Sequence, residues 1–221
     1  MPWIYKSGAL SQEEMENNAD IVTNYLRELA YSDETIAGIL GNMQNESTIN
    51  PARHELGGQG YGLVQWTPQS VLIQHASNMG ISDYENGDNQ LAVLNSEITA
   101  NPSSNNEWYS SSGFISPYYN SGATSDMVGI TGVQFISNEM GWTADKLAIM
   151  FMVAYERPTY DPADNHYKSR MEDALTWYEY IGGVAPHPNK KPIPTWDVSK
   201  FVQYGAIATS KKRRIHYELY N

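Results

Sequence analysis

Residues 144–156 read ADKLAIMFMVAYE, and after Lys146 no charge appears until Glu156. A helix of this composition is apolar round nearly its whole circumference, so other elements must enclose it. The uncharged run is about half of what a membrane span requires, so protein rather than lipid has to do the enclosing. With 221 residues, 41% of them hydrophobic, the chain can build that surround as one domain, or one domain with a smaller appendage. Thr143 is placed to cap this central helix, and Arg157-Pro158 ends it.

The surrounding helices are written as periodicities. Ser11 and Glu14 form a capping-box pattern ahead of Met15, Ala19, Val22, Leu26 and Leu29, which share one helical face. Asp33 is placed to cap a second helix carrying Ile36, Ile39, Leu40 and Met43, with Glu46 at its end. A third is expected from Pro68 to Gly80, with Val71, Leu72 and His75 inward, and a fourth over NQLAVLNSEIT. A last amphipathic helix is expected over 162–181, with Tyr167, Met171, Leu175 and Tyr178 on its inner face. Between these, residues 51–66 are glycine-rich and read as a loop or short β-hairpin, and 101–132 reads as a long irregular stretch. The expected fold class is therefore α+β, mainly α, over residues 1–181. Residues 182–196 read as a linker and 197–221 as a basic tail that is a candidate docking segment.

Composition removes several classes of function. The net charge of −11 argues against nucleic acid as a partner. The imbalance is uneven: residues 190–221 hold seven of the fourteen basic residues against only Asp197 and Glu218, which leaves a strongly acidic body. No cysteine is present, and the five histidines fall in no metal-ligand spacing, so no metal site or cofactor is expected. There is no G-x-S-x-G elbow, and GGQGYG lacks the lysine of a phosphate loop. No membrane span is expected. The first residues, MPWIYKSGALSQEE, lack the charged-then-apolar export pattern, so action outside a cell would need another route out.

Glu46 is the residue that remains unexplained. It lies in GNMQNESTINP, at the C-terminal end of an apolar helix, where the helix dipole and an apolar wall both disfavour a negative charge. A carboxyl kept protonated near neutral pH is what a general acid needs in order to protonate a glycosidic oxygen. A glutamate fraying off a helix end would look the same by position.

Three ordered motifs separate these readings: NESTINP, then YGLVQWTP, then MVAYERP. In this order they resemble the lysozyme superfamily, and most closely the tail-associated lysozymes of phages of Gram-positive bacteria, relatives of goose-type lysozymes and lytic transglycosylases. The resemblance covers roughly residues 10–181 and implies a lysozyme-like fold with a small β-hairpin region, in which 101–132 is an insertion. It implies that Glu46 is the catalytic acid, that Gln65 and Gly62 belong to the substrate loop and that Tyr155 lines the cleft. Trp66, and the tyrosines and tryptophan of 101–120, are candidates to stack on sugar faces. The second carboxylate stays open between Glu55 and Glu156, as does a mechanism with one glutamate; Glu156 equally suits a structural ion pair with Arg157. The implied activity is a muramidase cutting the β-1,4 MurNAc–GlcNAc bond of peptidoglycan glycan strands. The implied setting is a phage virion, among other tail proteins, acting at the cell wall after cytoplasmic synthesis. The alternatives are a lytic transglycosylase and a non-catalytic wall-binding tail protein.

Overall fold

A computed structural model describes residues 1–159 and 166–182. The expected 182–196 linker and 197–221 tail therefore fall, apart from Gly182, outside the described residues. The elements are α1 (Gln12–Glu28), α2 (Asp33–Ser47), α3 (Gln69–Asn78), α4 (Gly87–Thr99), the single-turn α5 (Ser112–Ile115), α6 (Gly132–Ser137), α7 (Ala144–Phe151) and α8 (His166–Tyr180). Among the described residues no helix is long and apolar enough to cross a membrane.

The enclosed run does form a buried helix. In α7, Ala144 and every residue from Leu147 to Phe151 are buried. Its last turn widens into a π-helical turn over Met152–Glu156, which Arg157 closes in the left-handed region. A second helix is as deeply enclosed. Every residue of α2 from Thr35 to Met43 is buried, because α7 packs on one side and α8 on another. Close approach is possible because α2 carries glycine at two consecutive contact points. A Cβ on Gly38 would lie 2.9 Å from the Ala148 amide nitrogen, and one on Gly41 would lie 2.6 Å from the Arg170 carbonyl oxygen.

The capping box at Ser11 and Glu14 is present, and Met15, Ala19, Val22 and Leu26 of α1 are buried. The cap of α2 is Ser32 rather than Asp33. The Ser32 hydroxyl accepts the Thr35 amide at 3.1 Å, while Asp33 pairs with Arg27 at 2.8 Å. The inner face of α8 is also rotated from the expected one. Leu175 is exposed, whereas Arg170, Ala174, Trp177 and Tyr178 are buried, because the Arg170 guanidinium is drawn inward by polar groups of α2.

Two irregular regions differ from expectation. No β-hairpin ladder forms over 51–66; there are only isolated bridges between His54 and Tyr61 and between Tyr61 and Trp66. The amides that a ladder would use are taken by side chains and tight turns instead. The Glu55 carboxylate accepts the Gln59 and Gly60 amides at 3.1 and 3.0 Å, and the Gln65 amide bonds back to the Gly62 carbonyl. The 101–132 stretch is packed rather than structureless. It folds as α5 and short 3₁₀ turns at Ser103–Asn105, Ser116–Ser121 and Ser125–Met127, and Trp108, Ile115 and Met127 join the core. The Trp108 indole donates to the Ile130 carbonyl at 2.8 Å and packs 4.6 Å from the Phe135 ring.

Candidate active site

The site begins where α2 runs out. The helix ends because Thr48 and Ile49 both adopt left-handed backbone conformations, which leaves Glu46 in the last turn, partly open to solvent. Next to it, Ser47 is fully enclosed. Its hydroxyl lies 3.1 Å from the Met43 carbonyl and 2.8 Å from the Leu63 carbonyl, and it accepts the Asn50 amide at 3.2 Å. One side chain thus ties the helix end to the glycine-rich loop. Gln90 of α4 reinforces the tie: it accepts the Leu63 amide at 2.9 Å and donates to the Pro51 carbonyl at 2.8 Å. Gly62 sits against this glutamine at φ +84°, and a Cβ there would lie 2.6 Å from the Gln90 Oε1.

Glu46 is paired. Its Oε1 accepts from the Arg170 Nη2, while the Arg170 Nη1 donates to the Asn42 Oδ1 at 2.8 Å. The Asn42 amide in turn donates to the carbonyls of Gly38 at 2.8 Å and Ala148 at 3.0 Å, so α2, α7 and α8 meet at this guanidinium. Glu156, at the end of the π-helical turn, faces the same charges. Its Oε1 is buried without a hydrogen-bond partner among the described residues, and so is the Arg170 Nε. Burial pushes the Glu156 carboxyl well above the usual range. The negative charge of Glu46 adds to this, and Arg170 and Arg157 oppose it. The expected ion pair between Glu156 and Arg157 is not formed: Arg157 bonds to the Glu107 carboxylate at 2.8 Å and to its carbonyl at 2.6 Å.

Gln65 and Glu55 meet elsewhere in the loop. A Cβ on Gly60 would lie 2.9 Å from the Gln65 Oε1 and 3.1 Å from the Glu55 Oε2, so both side chains close over that glycine. Gln65 has φ +51°, and its amide nitrogen is spent on the carbonyls of Arg53 and Gly62 at 3.0 and 2.9 Å. Glu55 is exposed, and its carboxylate holds its own loop. Tyr155 and Trp66 form a third group. Both rings are buried and both donate to Glu97, so neither presents a face to a sugar. A cavity of about 590 Å³ beside the loop is lined by the exposed rings of Tyr5 and His54, the buried Tyr61, and Asp83 and Glu85.

Sequence reasoning missed Arg170, Asn42 and the bridging role of Ser47. A signal for Arg170 was present: it is a lone cation at the head of the Ala174, Trp177 and Ile181 stripe.

Two carboxyls beside one guanidinium at the end of a buried helix can hold a proton and a negative charge side by side, which suits acid catalysis at a glycosidic bond. The phage tail lysozyme family model matches residues 17–181, and the chain belongs to that family. Morphogenesis protein 1 of Bacillus phage B103 is similar, at 30% identity over 183 residues, which is 80% of this chain and 43% of the relative. The chain therefore spans less than half the length of that curated relative.

Proposed function

We propose that the protein is a muramidase of a phage particle, hydrolysing the β-1,4 bond between MurNAc and GlcNAc in the glycan strands of a Gram-positive wall. The observation that carries this reading is the Glu46–Arg170–Glu156 cluster. Glu46 lies in the last turn of α2 with its carboxyl partly open to solvent, where it can meet a glycosidic oxygen. Burial favours the proton on Glu156, so the pair enters the reaction with one proton and one negative charge, and Arg170 balances that charge. In the reaction that one proton passes through Glu46 to the leaving oxygen, and Arg170 stabilises the second negative charge that this leaves on the pair. Gln65, fixed by its loop, orients the sugar or water, and the aromatic-lined cavity beyond it extends the glycan-binding surface. Family membership and the phage relative favour a virion setting among tail proteins.

A second reading has its own support. The Glu55 carboxylate is committed to the loop amides, which favours a mechanism with a single cleft-facing glutamate, and such a mechanism also suits a lytic transglycosylase. Digestion of purified Gram-positive peptidoglycan with the wild type and with Glu46→Gln, the fragments read by mass spectrometry, decides between them. The expected result is reducing MurNAc ends from the wild type, with a loss of about 10²–10⁴-fold in the folded variant. Anhydro ends would establish the transglycosylase. Binding to walls without cleavage by either protein would overturn both in favour of a wall-binding module.

A further inference from the structure

Glu97 makes no hydrogen bond to the Glu46 cluster, yet it is wholly buried, at 0% exposure. It lies on α4, and its two oxygens collect donors from three other segments. The Trp66 indole N–H lies 3.0 and 2.9 Å from them, His75 Nδ1 of α3 lies 2.5 Å away, and the Tyr155 hydroxyl completes the set. The Trp66 indole can only donate, and the Tyr155 hydroxyl donates with it, so two of the partners hold the carboxyl as an acceptor. Burial raises the Glu97 carboxyl, its hydrogen bonds to His75, Tyr155 and Trp66 oppose that rise, and the hydrogen bond to Glu97 in turn raises the His75 imidazole, so the two groups hold a proton between them. The other acidic groups acting on this cluster are Glu107, on His75 and Tyr155, and Glu156, on Tyr155.

The positions of the donors in the chain give the cluster its meaning. Trp66 directly follows Gln65, and Tyr155 directly precedes Glu156. The glycine-rich loop and the π-helical turn have no backbone hydrogen bond to each other; the side chain of Glu97 spans them. We propose that Glu97 is a positioning residue, a buried clamp that sets the loop carrying Gln65 against the turn carrying Glu156 and so fixes the two walls of the site. Removing a carboxylate and an imidazole from water is costly, and an apolar core would be cheaper if stability were all that was needed. A fully bonded polar cluster at the junction of the two segments supplies a defined geometry in return. In its activity readout the inference rests on the muramidase reading above.

The test uses the full chain with Glu97→Gln, Tyr155→Phe, Trp66→Phe and the Glu97→Gln/Tyr155→Phe double variant. Two independent signals are followed: turnover on solubilised glycan strands, and amide hydrogen exchange. The clamp predicts that each single variant loses about tenfold to a hundredfold in kcat, with KM changed less than about twofold. It predicts faster exchange confined to residues 61–66 and 152–156. The double variant should be no worse than Glu97→Gln alone, because both changes open the same clamp. Should Glu97→Gln fail to fold, Tyr155→Phe and Trp66→Phe carry the same expectations singly. Unchanged exchange in both segments overturns the proposal, as does a rise spread evenly over the protein, which marks a purely structural role. If the wild type proves inactive on glycan while the exchange pattern holds, the muramidase reading fails and the clamp stands.

Discussion

Glu156, at the end of the π-helical turn, is half-buried beside other charged groups. Burial raises its carboxyl well above the ordinary value of about 4.5, with Glu46 and Glu97 adding to the effect and Arg170 and Arg157 opposing it. The consequence for stability has a definite sign. Below about pH 4.5 the carboxyl is protonated in both the folded and the unfolded chain. Above that, the folded state holds a proton that the unfolded state has released, so stability falls as pH rises through the folded value, by about 1.4 kcal/mol per pH unit within the window. His75, also raised, contributes with the same sign above its ordinary 6.5. Glu14 and Asp126, which are lowered, act only in the acid range and with the opposite sign. Glu156→Gln should therefore be more stable than wild type at pH 8, with a flatter decline between pH 5 and 8. Urea titrations at each pH measure this; coincident slopes for the two proteins would exclude a protonated Glu156.

At the scale of elements, the Glu46 cluster exists because α2 can be approached on two sides at once. The Gly41 contact is with backbone atoms, the Arg170 carbonyl oxygen at 2.6 Å and the Ala174 nitrogen at 2.8 Å, so no side chain can swing aside to admit a methyl group. Gly41→Ala is expected to push α8 away and to destabilise by about 1–3 kcal/mol, with activity falling further as Arg170 leaves Glu46. Gly8→Ala, where nothing lies within 4 Å of the added carbon, should be near neutral in both assays. Thermal unfolding and wall lysis of the two variants make the comparison; equal behaviour would mean that α8 has slack at this contact. The same elements show what a sequence can display. Helices α1, α3 and α4 were legible because their apolar spacing, and in α1 the capping box, are local properties of the chain. Glu46 was legible because a carboxyl at that helix end is locally anomalous. Arg170, Asn42 and Glu97 were not, because each takes its role from a partner tens of residues away. The hairpin failed for a related reason: side-chain acceptors such as Glu55 compete for amides that a periodicity argument assigns to a ladder.

At the scale of the whole molecule, the net charge of −11 sets a problem for the proposed muramidase, which would have to approach an anionic wall. Seven basic residues within 190–221 make the remainder more acidic still. Free in solution, the chain should be repelled by a wall bearing teichoic polymers. That repulsion is screened as the Debye length shrinks from about 30 Å at 0.01 M salt to about 8 Å at 0.15 M. The lysis rate on such walls is expected to rise over that range. On walls stripped of their anionic polymers it should be nearly flat, because the same catalytic site then works without a long-range field. Turbidity clearance of matched wall preparations across the two salt concentrations makes the measurement. A rise on native walls alone would mean that the isolated enzyme works against its own charge, a handicap that delivery on a particle removes. A fall with salt on native walls would mean that attraction through the 190–221 segment outweighs repulsion of the acidic body, and would assign wall approach to that segment.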